Sequence, residues 1–196
     1  DEEKFKELAL KNFDILLLFS VPAMVGLCLL GHSVVLAFSG KDFLDAVPIM
    51  RFLTPIVIIT SIGSVIGTQT FVPMGKEKLC LYGLIIGVIC NIILNLTLVP
   101  RYHIWGAAVA TLVSQSVLSG VELYWGRKIV DLWKVGKFFL VYLFNSVVMG
   151  LFVYICIRFI PGLWRSTVIA VFIGLIVYGT MLILEKNRFV FDFIRI

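Results

Sequence analysis

The sequence predicts an all-α integral membrane protein whose six transmembrane helices pair into antiparallel hairpins. Three observations lead there. Hydrophobic residues make up 60% of the 196 and charged residues 15%, with a mean hydropathy of +1.05, against roughly 45–50% and about 25% in ordinary soluble domains. The charges gather at short intervals between long stretches that carry almost none, a pattern that suits lipid as the solvent. The apolar runs are continuous and much longer than the alternating strands of about ten residues that build a barrel. They are therefore helices, which satisfy every backbone hydrogen bond within the segment.

The opening DEEKFKELALKN sets Glu2/Lys6 and Glu7/Lys11 four residues apart, with Phe5 and Leu8 three apart. Residues 1–12 read as a short helix lying at the cytoplasmic interface. The spans follow at 13–38, 48–73, 79–99, 105–126, 135–160 and 166–184, each long enough to cross about 30 Å of hydrocarbon. The connections between them are short, so consecutive helices are antiparallel neighbours with no soluble domain between them. The chain thus divides into the interfacial helix, a four-helix part over 13–126, two further helices over 127–184 and a cytoplasmic tail over 185–196. In that tail Phe189, Phe191 and Phe193 stand between Arg188 and Arg195, which reads as a membrane-surface anchor or as a site for a partner protein.

Prolines mark expected bends. Pro22 and Pro55 fall inside spans, where each removes a backbone donor and predicts a kink, whereas Pro48 opens a helix, where proline costs little.

Orientation follows from the cations. Twelve of the 17 Lys and Arg residues fall on one side of the predicted spans; Lys41, Arg51, Arg101, Arg158 and Arg165 fall on the other. The positive-inside rule then places both ends of the segment in the cytoplasm. With its N-terminus already inside, the segment is expected to be the later part of a longer chain. The net charge of +5 lies beside apolar spans rather than along one groove-sized face, which speaks against nucleic acid. Cys28, Cys80, Cys90 and Cys156 sit in or at the end of apolar runs without metal or redox spacing and read as small buried hydrophobes. No P-loop, Gly-x-Ser-x-Gly, His-Glu-x-x-His or potassium-filter pattern occurs, and His32 and His103 have no acidic neighbour at ligand spacing. Neither an enzyme, a cofactor nor a metal site is expected.

Polar and small residues recur on defined faces. Gly83, Gly87, Asn91 and Asn95 repeat every four residues, one stripe of the third span, flat at the cytoplasmic half and amide-bearing at the outer half. Gly106, Ala110, Ser114 and Glu122 share a track on the fourth span, with Ala107, Thr111, Gln115 and Ser119 on the next; the second span has Gly63/Gly67, Ser64/Thr68 and Gln69. Small residues let helices approach closely, and amides that are costly in lipid must meet a neighbour or water. These faces therefore either pack helices through Gly63, Gly67, Gly83, Gly87, Gly106, Ala110 and Ser114 or line a hydrated substrate pathway through Arg51, Gln69, Asn91, Asn95, Gln115 and Glu122. An acid inside a span costs about 2.5–3.5 kcal/mol on insertion scales. Glu122 lies about one turn from the cytoplasmic end of its span, where it is either an interfacial acid reaching headgroup water or a group for proton or cation coupling. Arg51 either snorkels to the outer interface or contacts an anionic substrate.

Three stretches in order, FSVPAMVGLCLLGHSVVLAFSGKDFLDAVPIMRFL, FVPMGKEKLCLYGLIIGVICNIILNL and NLTLVPRYHIWGAAVATLVSQ, resemble the later part of bacterial oligosaccharide (O-antigen type) flippases of the multidrug/oligosaccharidyl-lipid/polysaccharide exporter superfamily. The similarity covers about residues 10 to 126. It implies the last six of 14 spans in a two-lobed, alternating-access carrier of undecaprenyl-pyrophosphate-linked oligosaccharide across the bacterial cytoplasmic membrane. Polysaccharide polymerase and glycosyltransferases would then be the functional partners, and membrane lipids the immediate surroundings. Two other branches, drug/cation antiporters and peptidoglycan-precursor flippases, remain alternatives. Relatives commonly carry Gly where this chain has His103, and often an acid where it has Gln115.

Overall fold

A computed structural model of the chain describes residues 2 to 184; the tail over 185–196, with its three phenylalanines, lies outside the described residues. The elements are helical throughout: α1 (Glu2–Ser39), a 3₁₀ turn (Lys41–Ala46), α2 (Val47–Leu53), α3 (Ile56–Ile66), a π-helical turn (Gly67–Phe71), α4 (Glu77–Gly126), α5 (Leu132–Phe159) and α6 (Leu163–Leu184). The protein is thus an all-α, multi-pass membrane protein. Among the described residues four helices are long and apolar enough to cross a membrane, or five when α2 and α3 are taken as one broken span.

The N-terminal segment is not a separate interfacial helix. It runs without a break into the first span, so α1 is one helix of 38 residues that continues through Pro22. No glycine or second proline interrupts the junction at residues 12 and 13, and Ala9, Phe13 and Leu17 form one buried stripe across it at the i, i+4 spacing of a single helix face.

The expected span over 48–73 is broken. Thr54 and Pro55 separate α2 from α3; Pro55 has no amide hydrogen to continue the ladder. Pro48 occupies the first turn of α2, where that donor is not needed. At the other end of α3 the chain widens into the π-turn, and Thr70 Oγ1 donates to the Val65 carbonyl at 2.7 Å.

The 50 residues of α4 would extend about 75 Å if straight. They do not extend, because His103 leaves the helical region at φ 49°, ψ −124° and the helix folds back there. Tyr82 meets Trp125 edge to face, a Cβ on Gly87 would touch Leu118, and Asn91 bonds Ser114. The partners in each pair stand almost equally far along the chain from His103, the register of an antiparallel hairpin. The turn is shorter than the expected 100–104, since Pro100 to Tyr102 still belong to the first arm. Gly75 and Gly162 close two other turns at φ 69° and 92°, where a glycine meets no Cβ penalty. At His103 a residue with a side chain occupies the left-handed side.

Two compact units emerge. The first joins the chain up to Ser20 with Pro55–Phe138; the second joins Val21–Thr54 with the chain from Phe139 onward. In the first unit α3 packs on the α4 hairpin. In the second, Gly150 on α5 lies against Val25 and Leu29 of α1, Gly174 on α6 lies against Val153 and Met149, and Ser33 and Thr167 share a hydrogen bond of 2.7 Å. Small residues thus bring α1, α5 and α6 together, as expected where no hydrophobic drive acts between helices in lipid.

Candidate functional site

Four polar residues of α4, Asn91, Thr111, Ser114 and Gln115, line one cleft. Its volume is about 370 Å³, and it is lined by Leu84, Gly87, Val88 and Asn91 from the first arm and by Thr111, Ser114, Gln115 and Leu118 from the second. Asn91 Nδ2 donates to Ser114 Oγ at 2.9 Å, and Ser114 Oγ donates to the Thr111 carbonyl at 3.0 Å. Asn95 Nδ2 donates to both Asn91 Oδ1 at 3.0 Å and the Asn91 carbonyl at 2.9 Å. Asn95 therefore bonds back to Asn91 within the first arm, Asn91 bonds Ser114 across the hairpin, and Gln115 lines the cleft beside them. The lining carries amide and hydroxyl groups but no ionisable side chain. It can hydrogen-bond a polar guest but offers no acid, base or nucleophile of its own.

Glu122 occupies a second, enclosed place. It is 3% exposed although it lies only one turn from the end of α4, so it does not reach outward as an interfacial acid. Cys80 Sγ donates to its Oε1 at 3.6 Å, while Oε2 is buried with no hydrogen-bond partner. Three glycines make the space. A Cβ on Gly67 would collide with Oε1, one on Gly63 would stand 2.9 Å from Oε2, and one on Gly83 would stand 3.2 Å from Cγ. Ser119, one turn before Glu122, donates to the Ile59 carbonyl at 2.9 Å and ties the second arm to α3. Gly63, Gly67 and Gly83, which read as helix-packing residues, thus enclose a carboxyl group rather than a neighbouring backbone. Gly87 meets the Leu118 side chain, and Gly106 alone of the α4 glycines faces backbone, at the Leu98 carbonyl just across the turn. Ala110 and Ser114 continue that buried track.

The remaining candidates lie elsewhere. Gln69 is exposed on the π-turn. Arg51 belongs to the second unit, where its Nε donates to the Cys28 carbonyl of α1 at 3.0 Å and its stem crosses Gly31. Cys80 is the residue the sequence reading missed, taken only as a small hydrophobe. It falls three positions before Gly83 and so shares the stripe of glycines and asparagines, which was the available signal.

Among known proteins, no family signature and no curated sequence matches the chain. One solved structure does: the lipid II flippase MurJ in its inward closed conformation, with a TM-score of 0.82 and 24% identity over 96% of this chain. The fold is that of part of a flippase. The chain spans 41% of the length of that protein. The likeness is one of fold.

Proposed function

We propose that the chain is the C-terminal part of a two-lobed, 14-span carrier that turns lipid-linked saccharide precursors from the inner to the outer leaflet of the bacterial cytoplasmic membrane by alternating access. The observation that carries this reading is the likeness to a flippase over nearly the whole chain. The cleft of α4 fits the role physically: a lipid-linked sugar has a polar head that needs hydrogen-bonding partners on its way across, while its tail remains in lipid. Asn91, Asn95, Gln115 and Ser114 would supply those partners. The 12-to-5 distribution of cations supports cytoplasmic placement of both ends of the segment.

Two substrates of this class are in view. An undecaprenyl-pyrophosphate-linked oligosaccharide, supplied by glycosyltransferases and consumed by a polysaccharide polymerase, fits the sequence resemblance. A peptidoglycan precursor is favoured by the structural likeness to a lipid II flippase. Depletion of the full-length protein separates them. Loss of surface polysaccharide in growing cells marks the first; growth arrest with lipid II retained in the inner leaflet marks the second. If neither lipid is retained, the flippase reading falls.

A further inference from the structure

The cage around Glu122 has a chemical consequence beyond transport of a lipid. Its walls come from three elements: Cys80 and Gly83 on the first arm of α4, Gly63 on α3 and Gly67 at the head of the π-turn. α3 and the π-turn carry no titratable side chain. On the first arm the thiol of Cys80 faces the carboxyl, while Glu77 and Lys78 at its start are exposed. Its own arm carries no cation, and Arg127, just past the arm's end, holds its guanidinium 4.1 Å over the Tyr124 ring. No Lys or Arg pairs with Glu122 among the described residues.

A carboxylate there would be a buried charge with one oxygen unpartnered and the other held only by a weak thiol donor. Gly67 backs directly onto Oε1, so that even a Cβ there would collide with it. A proton removes the charge without needing room. The end of α4 is one turn away, so a side chain that swings outward reaches water within a few ångströms.

We propose that Glu122 is a reversible proton-binding site that controls whether α3 and the π-turn close on the α4 hairpin. With the proton on the carboxyl, the group rests among Gly63, Gly67 and Gly83 and the three elements stay packed. When the proton passes to water, the carboxylate leaves the cage for solvent and the contact of α3 with the hairpin loosens. The break at Pro55 and the π-turn flank α3 with the two places where its backbone ladder is already irregular, so it can move as a unit.

The test uses the full-length protein in lipid nanodiscs and infrared difference spectra recorded between acid and alkaline pH. A carboxylic C=O band that titrates should disappear in Glu122→Gln. In Cys80→Ala, which keeps all three glycines of the cage, the same band should shift because the hydrogen bond to Oε1 is gone. Glu122→Gln, neutral at every pH, should also abolish the pH dependence of spin-label distances between α3 and the second arm of α4. A band set unchanged in both variants, or α3 distances that respond to pH equally in Glu122→Gln, overturns the proposal. None of these readouts depends on which lipid is carried, so they stand or fall apart from the flippase reading.

Discussion

Asn91 and Ser114, 23 residues apart in sequence, are joined by a hydrogen bond of 2.9 Å from the amide to the hydroxyl. The bond closes the middle of the α4 hairpin and forms part of the polar wall of its cleft. Within lipid such interhelical bonds contribute about 0.6 kcal/mol on average in double-mutant cycles. A cycle of Asn91→Ala with Ser114→Ala should return a coupling of about that size in detergent unfolding. Zero coupling would mean that the two arms are not held together here. Replacing both amides, Asn91→Leu with Asn95→Leu, should impair transport while the protein still inserts, because the cleft then presents no hydrogen-bond partner from the first arm. Normal transport in that variant would remove the first arm from the pathway.

Gly67 and Gly120 should respond oppositely to alanine. A Cβ on Gly67 collides with the Glu122 carboxyl, whereas one on Gly120 meets nothing within 4 Å. Gly67→Ala is therefore expected to destabilise by about 1–3 kcal/mol, the usual cost of overpacking. Gly120→Ala, at an exposed helical position, is expected to stabilise by about 0.5–1 kcal/mol through reduced backbone entropy. Adding Glu122→Ala to Gly67→Ala should recover part of the loss. Equal melting temperatures for the two single variants would contradict the cage.

His103→Gly should raise stability by about 1 kcal/mol, the low end of the cost of a non-glycine residue held at positive φ. His103→Val should lower it, since a β-branched residue fits φ 49° worse still. Thermal unfolding of the three proteins would rank them Gly, His, Val. Any other order would mean that the turn does not adopt this backbone.

Arg51→Met should cost about 0.5–1.5 kcal/mol, the net worth of one hydrogen bond, because it removes the donor to the Cys28 carbonyl while keeping an apolar stem across Gly31. Transport by the variant should persist. A loss of transport without a loss of stability would instead put Arg51 in contact with an anionic substrate.

Much of this protein could be read along the chain. Runs such as 79–99, almost free of charge, declare a lipid solvent, because a helix in hydrocarbon has no other way to satisfy its backbone. Pro55 announced the break between α2 and α3, since a residue without an amide hydrogen removes a bond from the ladder, although α1 runs on through Pro22. The four-residue recurrence of Gly83, Gly87, Asn91 and Asn95 identified the face of the third span that meets protein, and that face does meet the second arm of α4.

What only the tertiary structure decided is what each face meets. A glycine in sequence states that space is required, without saying what fills it. At Gly63, Gly67 and Gly83, on three different elements, the side chain of Glu122 occupies the space, joined at Gly63 by that of Ser119, a fact that depends on the register of α3 against α4. Glu122 read first as an interfacial acid, because distance from a helix end does not reveal whether another helix covers that turn. The same limit applies to Cys80, whose partner lies 42 residues away on the returning arm. Periodicity assigns residues to faces; the long-range register that pairs one face with another arises from packing, which no local pattern encodes.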